Sequence, residues 1–229
     1  MFRVALIGSG GAGKSTLAYS FSSYLRKQGY EVACANLDPG CRHIKYDAAF
    51  DIRDYYATAE LMAAEKLGPN GAVKKVYSEA LSSKKMMRDL AAIKGDFVLL
   101  DTAGSLELFL FGGAPFLSEV ADAVLFVAER GGAASSEKEL TVLRALNALQ
   151  RLEYALPTLT VVNKADLQKP KKKQKMLGGF EAADAHLKAL LSEVGRREKL
   201  FEVSAMDRRG FSELLDALNE LKCSCGEVG

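Results

Sequence analysis

Short apolar runs alternate along the chain with longer segments whose apolar residues recur every three or four positions. Phe2–Ile7, Glu31–Leu37, Phe97–Leu100, Ala123–Ala128, Thr158–Val162 and Leu200–Val203 are continuous runs, the pattern of strands covered on both faces. The first helical segment carries Leu17, Phe21, Tyr24 and Leu25 on one face and stops at Gly29. The last carries Phe211, Leu214, Leu215, Leu218 and Leu221 at the same spacing. Further helices are predicted at Thr58–Leu67, Val73–Ile93, Ser136–Leu152 and Glu181–Val194. Repeated strand–helix units predict an α/β fold, a mainly parallel sheet with helices on both faces and right-handed crossovers. No internal repeat or flexible linker divides the chain, so 1–229 reads as one domain.

Composition adds exclusions. Of 229 residues 48% are hydrophobic and 26% charged, enough for one substantial core. A net charge of +2 creates no field that would point to nucleic acid or a membrane surface. No apolar run approaches the length that spans a bilayer, and the N-terminus lacks the pattern of a signal peptide. Cys34, Cys41, Cys223 and Cys225 read as reduced thiols. The expected location is therefore the cytoplasm. Gln168–Lys175, the one low-complexity charged run, reads as a solvated loop and helix entry, with a weak anionic contact as the alternative.

The candidate chemistry lies at the strand ends. Gly8-Ser-Gly-Gly-Ala-Gly13-Lys14-Ser15 follows the first strand and opens the first helix, the context that the Walker A pattern requires. Its glycines let backbone N–H groups over Gly10, Gly11, Ala12, Gly13, Lys14, Ser15 and Thr16 curl around one anion at a helix N-terminus. Lys14 is expected on the β- and γ-phosphates and the Ser15 hydroxyl on Mg²⁺.

Asn163-Lys164-Ala165-Asp166 ends the Thr158–Val162 strand, where open α/β sheets bind ligands. Asp166 can accept from N1–H and the exocyclic amine of guanine, neither of which adenine offers on that edge. Asn163 is expected to bond the base edge and the neighbouring loop, with the Lys164 stem over the ring. Ser204-Ala205, after the last strand, is expected to complete a guanine pocket through the Ala205 N–H. The nucleotide read from these residues is GTP, with GDP as product. Asp101-Thr-Ala-Gly104 ends another strand: Asp101 is placed to hold Mg²⁺ through water, and the Gly104 N–H to sense the γ-phosphate. Asp38, in Asn36-Leu-Asp-Pro-Gly40, faces the same crevice and is expected at the metal with Ser15 and Asp101, near the attacking water.

With Gly68-Pro69-Asn70 added, these residues resemble the GPN-loop GTPases in their short archaeal form. Alone, Gly68–Asn70 would be a glycine cap, a proline stop and an Asn-Gly turn. The resemblance rests on the phosphate loop, Asn36–Gly40, Asp51–Asp54, Gly68–Ala72, Asp101–Gly104 with Glu107–Phe109, Asn163–Asp166 and the closing Cys223–Gly226, in the family's order. It is faintest between Leu167 and Lys199.

The resemblance implies a P-loop NTPase of the SIMIBI branch, with a GPN-loop helical insertion over about 55–95. It implies a homodimer in which Asn70 acts in trans on the partner's nucleotide. Many relatives in that branch carry an extra lysine early in the phosphate loop, where this chain has Ser9 and Gly10. It further implies catalytic roles for Lys14, Asp38, Asn70 and Glu107, and clients in protein assembly, by analogy with eukaryotic relatives associated with RNA polymerase assembly. Ala103 and Ser105 stand where the family usually has proline and glutamine, so hydrolysis would be slow or lean on Asp38, Glu107 and Asn70.

Three alternatives stay open. One is a GTP-controlled binding switch with little hydrolysis. A metal-inserting GTPase is another, against which stand the isolated His43 and His186 and only two thiols at Cys223 and Cys225. The third is a small-molecule kinase, which would leave the guanine motif unexplained.

Overall fold

The computed structural model describes residues 1–105, 108, 113–130, 147–149, 151–167 and 199–226, with 225 and 226 described by backbone only. Six expected strands are present: β1 (Phe2–Ile7), β2 (Val32–Leu37), β4 (Phe97–Thr102), β5 (Ala123–Glu129), β6 (Thr158–Asn163) and β7 (Leu200–Glu202). A seventh, β3 (Phe50–Asp51), left no periodic signal because it is two residues long. It exists because Ala35 and Asn36 of β2 pair with it.

The sheet runs β3-β2-β4-β1-β5-β6-β7 with every pairing parallel. Helix α1 (Lys14–Lys27) carries the chain from β1 to β2 on one side of the sheet, whereas β5 lies on the other side of β1. The reversal opens a crevice at the carboxyl ends of the strands.

The remaining helices are α2 (Thr58–Glu65), α3 (Pro69–Ser82), α4 (Lys84–Ala91), α5 (Ala114–Val120) and α6 (Phe211–Gly226). They explain why the strands read as unbroken apolar runs. Ala5, Ile7, Val98, Leu100, Val124 and Phe126 pack under Val76, Tyr77, Met86, Leu90, Phe116 and Leu117 of α3, α4 and α5. Their neighbours in sequence, Val4, Leu6, Leu99, Leu125 and Val127, pack on the other face under α1 and α6, against Leu17, Phe21, Leu25, Phe211, Leu214 and Leu218.

The expected Val73–Ile93 helix is instead two helices, and the first begins earlier, at Pro69. Ser83 breaks it with ψ 91°, and its hydroxyl accepts from the Met86 N–H at 3.4 Å as the cap of α4. Pro69, expected to stop a helix, starts one, since the first helical position needs no N–H. The stop before it is Lys66, left-handed at φ 54°. Residues 136–146 and 150 of one expected helix, all of Glu181–Val194, and Gln168–Lys175 lie outside the described residues, as does Glu107. Among the described residues no helix is long and apolar enough to cross a membrane.

Candidate active site

Gly13 forms the N-cap of α1 at φ 88°, with no side-chain cap bond. The first-turn N–H groups are thus left for an anion. A Cβ on Gly13 would also stand 2.6 Å from Asn163 Nδ2, so glycine is required there for both conformation and space. Lys14, 6% exposed, donates to Gly8 O at 3.0 Å and Ser9 O at 3.1 Å. Burial lowers its pKa, while the Asp101 and Asp38 carboxylates act in the opposite direction. Lys14 and these two acids therefore share one electrostatic neighbourhood.

Asp101 is 2% exposed. Its Oδ2 accepts from the Tyr46 hydroxyl at 2.9 Å, and its Oδ1 is buried without a hydrogen-bond partner among the described residues. Burial raises the Asp101 pKa, opposed by the Ser15 and Tyr46 hydroxyls and by Lys14. Burial and the same carboxylate push the Tyr46 phenol far above its ordinary value, so it remains a donor. A buried carboxylate oxygen with no donor is costly, and it is the hard oxygen that Mg²⁺ takes. The residues fit the ion: Ser15 and Asp101 would hold it, and it would supply charge neutralisation for the phosphates.

Gly104 sets the Asp101–Gly104 segment directly on the phosphate loop. A Cβ there would come within 2.9 Å of Gly10 Cα and 3.5 Å of Lys14 Nζ. Asp38 is half-buried and turns its own loop, its Oδ1 accepting from the Gly40 N–H at 2.9 Å. Asn36 beneath it accepts from the Asp38 N–H at 3.1 Å and donates to Asp51 Oδ1 at 2.9 Å. Asp51 in turn holds Arg53, which reaches Cys41 O and Arg42 O at 3.3 Å.

At the carboxyl end of β6, Asn163 makes the expected bonds to neighbouring loops. Its Nδ2 donates to Ala12 O at 3.0 Å and its Oδ1 accepts from the Ala205 N–H at 3.2 Å. Both ends of the amide thus join protein segments, and the Ala205 N–H expected at the guanine is occupied by Asn163. Asp166 is exposed, and its Oδ1 accepts from Ser204 Oγ at 2.7 Å. Lys164, at φ 63°, extends back past the phosphate loop, its Cε 3.9 Å from where a Gly13 Cβ would be. Its ammonium pairs with Glu129 at 3.0 Å.

Asn70 stands apart. It lies in the exposed first turn of α3, and its side chain makes no hydrogen bond among the described residues.

A protein-family model described as a conserved hypothetical ATP binding protein matches residues 6–224. A GPN-loop GTPase of Pyrococcus abyssi is 28% identical over 249 residues, 98% of this chain and 99% of that one. The chain belongs to the GPN-loop GTPases. GPN-loop GTPase 3 of Saccharomyces cerevisiae is 29% identical over 196 residues, 80% of this chain and 71% of the yeast protein. The solved structure of a GTPase in apo form from Pyrococcus abyssi shares the fold, with a TM-score of 0.82 over 98% of each chain at 24% identity.

In this GPN-loop GTPase, four residues near the site carried no motif. Tyr46 bonds Asp101, and Glu129 pairs with Lys164. Arg130 donates to Ala165 O at 3.2 Å and Glu202 Oε1 at 2.6 Å. Tyr77 donates to Leu37 O at 2.8 Å and accepts from the Ala103 N–H at 3.4 Å. Glu129 ends β5 and Arg130 follows it, and that position at the carboxyl end of a strand was the available signal. Tyr46 and Tyr77 offered none.

Proposed function

We propose that the chain binds GTP, hydrolyses it to GDP and phosphate, and works as a homodimer in which Asn70 of each subunit serves the other's nucleotide. The observation that carries this reading is one crevice with two ends. Lys14, Ser15, Asp101 and Gly104 gather at one, and Asn163, Asp166 and Ser204 at the other. Although the family description names ATP, Asp166 favours guanine. Ser204 orients its carboxylate, and adenine would leave the acid unpaired, which a site built around those bonds rejects strongly.

Hydrolysis would be an in-line attack of water on the γ-phosphate. Lys14 and the backbone N–H groups spread the developing charge, and Asp38 and Asn70 align the water. Support for a trans role comes from the exposed Asn70 side chain, unbonded among the described residues and set on a helix that Tyr77 anchors to Leu37 and Ala103. The output in this reading is a dimer conformation presented to a protein-assembly client in the cytoplasm. Ser105, where the family usually has glutamine, favours a second reading, a switch with little hydrolysis.

The test is single-turnover GTP hydrolysis together with the mass of the assembly, for the native chain and Asn70→Ala. A dimer that keeps GTP binding but loses about 100-fold in rate supports the trans loop, that being the scale for removing one aligned polar group. Unchanged turnover removes Asn70 from the mechanism. A native chain that binds GTP without hydrolysing it selects the switch.

A further inference from the structure

Residues 38–49 leave the Asp38 motif and return to the sheet edge with no regular structure. Two neighbours in this stretch touch the nucleotide site. Lys45 Nζ donates to Thr16 Oγ1 at 2.9 Å, in the first turn of α1. Tyr46 is 7% exposed and donates its hydroxyl to Asp101 Oδ2 at 2.9 Å.

A carboxylate at a strand end can rotate about its last bond and offer either oxygen. Asp101 is restricted: Oδ2 is taken by Tyr46, while Oδ1 is buried with no hydrogen-bond partner of good geometry among the described residues, the Ser15 hydroxyl acting on the same carboxylate. The phenol therefore selects which oxygen is left over and fixes its direction. Outer-shell hydrogen bonds of this kind orient a metal's carboxylate partner, and their loss typically weakens metal binding about 10- to 100-fold.

We propose that Tyr46 is a positioning residue for Asp101, holding Oδ2 so that Oδ1 alone faces the Mg²⁺ that accompanies the nucleotide. Tyr46 does so from the segment following Asp38, so the carboxylate is oriented by the same loop that carries the acid aimed at the attacking water. The inference rests on the Mg²⁺–GTP reading of the site.

The experiment follows release of a fluorescent methylanthraniloyl-GDP from the full chain as Mg²⁺ is titrated from an EDTA baseline. Tyr46→Phe, Asp101→Asn and the double variant are compared with the native chain. Tyr46→Phe should match the native release rate in EDTA yet need about 10-fold more Mg²⁺ to slow release. Adding Tyr46→Phe to Asp101→Asn should change nothing further, because both act through one carboxylate.

An unshifted Mg²⁺ dependence in Tyr46→Phe overturns the proposal. So does release that speeds equally with and without Mg²⁺, or a variant that fails to fold, since either assigns the hydroxyl to packing alone. A native chain that binds GDP without any effect of Mg²⁺ removes the metal role and this inference with it. A native chain that binds no guanine nucleotide defeats the proposed function itself.

Discussion

Asn163 donates its side-chain amide to the Ala12 carbonyl at 3.0 Å, tying the carboxyl end of β6 to the phosphate loop. The other end of the same amide accepts from the Ala205 N–H, and the residue is 1% exposed. One side chain thus fixes the relative positions of three loops that leave three different strands.

Asn163→Ala should therefore act on stability and binding together. It leaves the Ala12 carbonyl and the Ala205 N–H unpaired in a buried place, at a cost of about 1–3 kcal/mol for each such group. Urea unfolding should show a lower midpoint, and GDP titration a weaker affinity. An unmoved midpoint would mean that other contacts hold the three loops.

The Asp166 carboxylate is the base selector in the proposed site. Asp166→Asn replaces an acceptor with a donor facing N1–H, so the ratio of GTP to ATP affinity should fall on the order of 100-fold. Ser204→Ala should lower the ratio in the same direction but less, because it removes only the 2.7 Å bond that orients the acid. Competition binding with the two nucleotides measures both; an unaltered ratio would contradict the base assignment.

Tyr77 joins α3 to the segments after β2 and β4. It is fully buried and its ring stacks on Phe116 at 4.8 Å. Tyr77→Phe keeps the ring and removes the hydroxyl that bridges Leu37 O and the Ala103 N–H. A loss of about 1–3 kcal/mol in chemical unfolding is expected, the cost of leaving a buried polar partner unsatisfied. Stability equal to that of the native chain would show that the bridge is dispensable.

Asp51 supplies a pH test. Burial raises its pKa, but the hydrogen bonds from Arg53 and Asn36 outweigh this and the net shift is downward. A carboxyl whose folded pKa lies below its unfolded value stabilises the fold above the unfolded value, about 4. That contribution fades as pH falls through the lower folded value. Asp51→Asn should thus be less stable than the native chain at neutral pH, with the gap closing below about pH 4. Melting temperatures across that range measure it, and a gap that stays constant with pH would exclude the charge as its source.

The strand core was legible because each strand is apolar on both faces, a pattern set by residues adjacent in sequence. β3 was not, since Phe50–Asp51 is a strand only through Ala35 and Asn36 of its neighbour. The break at Ser83 was missed because Met86 and Leu90 of α4 continue the apolar spacing of Val73, Val76 and Tyr77. Periodicity reports which face is buried and is silent about a cap that bends the chain between two such stretches.

The sequence by itself determined the chemistry available at each strand end: a phosphate loop, the carboxylates of Asp38 and Asp101, and the carboxylate of Asp166. Those residues are local in sequence, and their order along a parallel sheet places them at one edge. Only the tertiary structure decided how they are held. Tyr46 meets Asp101 across 55 residues, and Asn163 meets Ala12 across 151. Contacts between segments so distant depend on how the layers pack, which no local pattern encodes. The phosphate loop at Gly8–Ser15 is thus fixed in type by its own glycines and in position by Gly104 and Asn163.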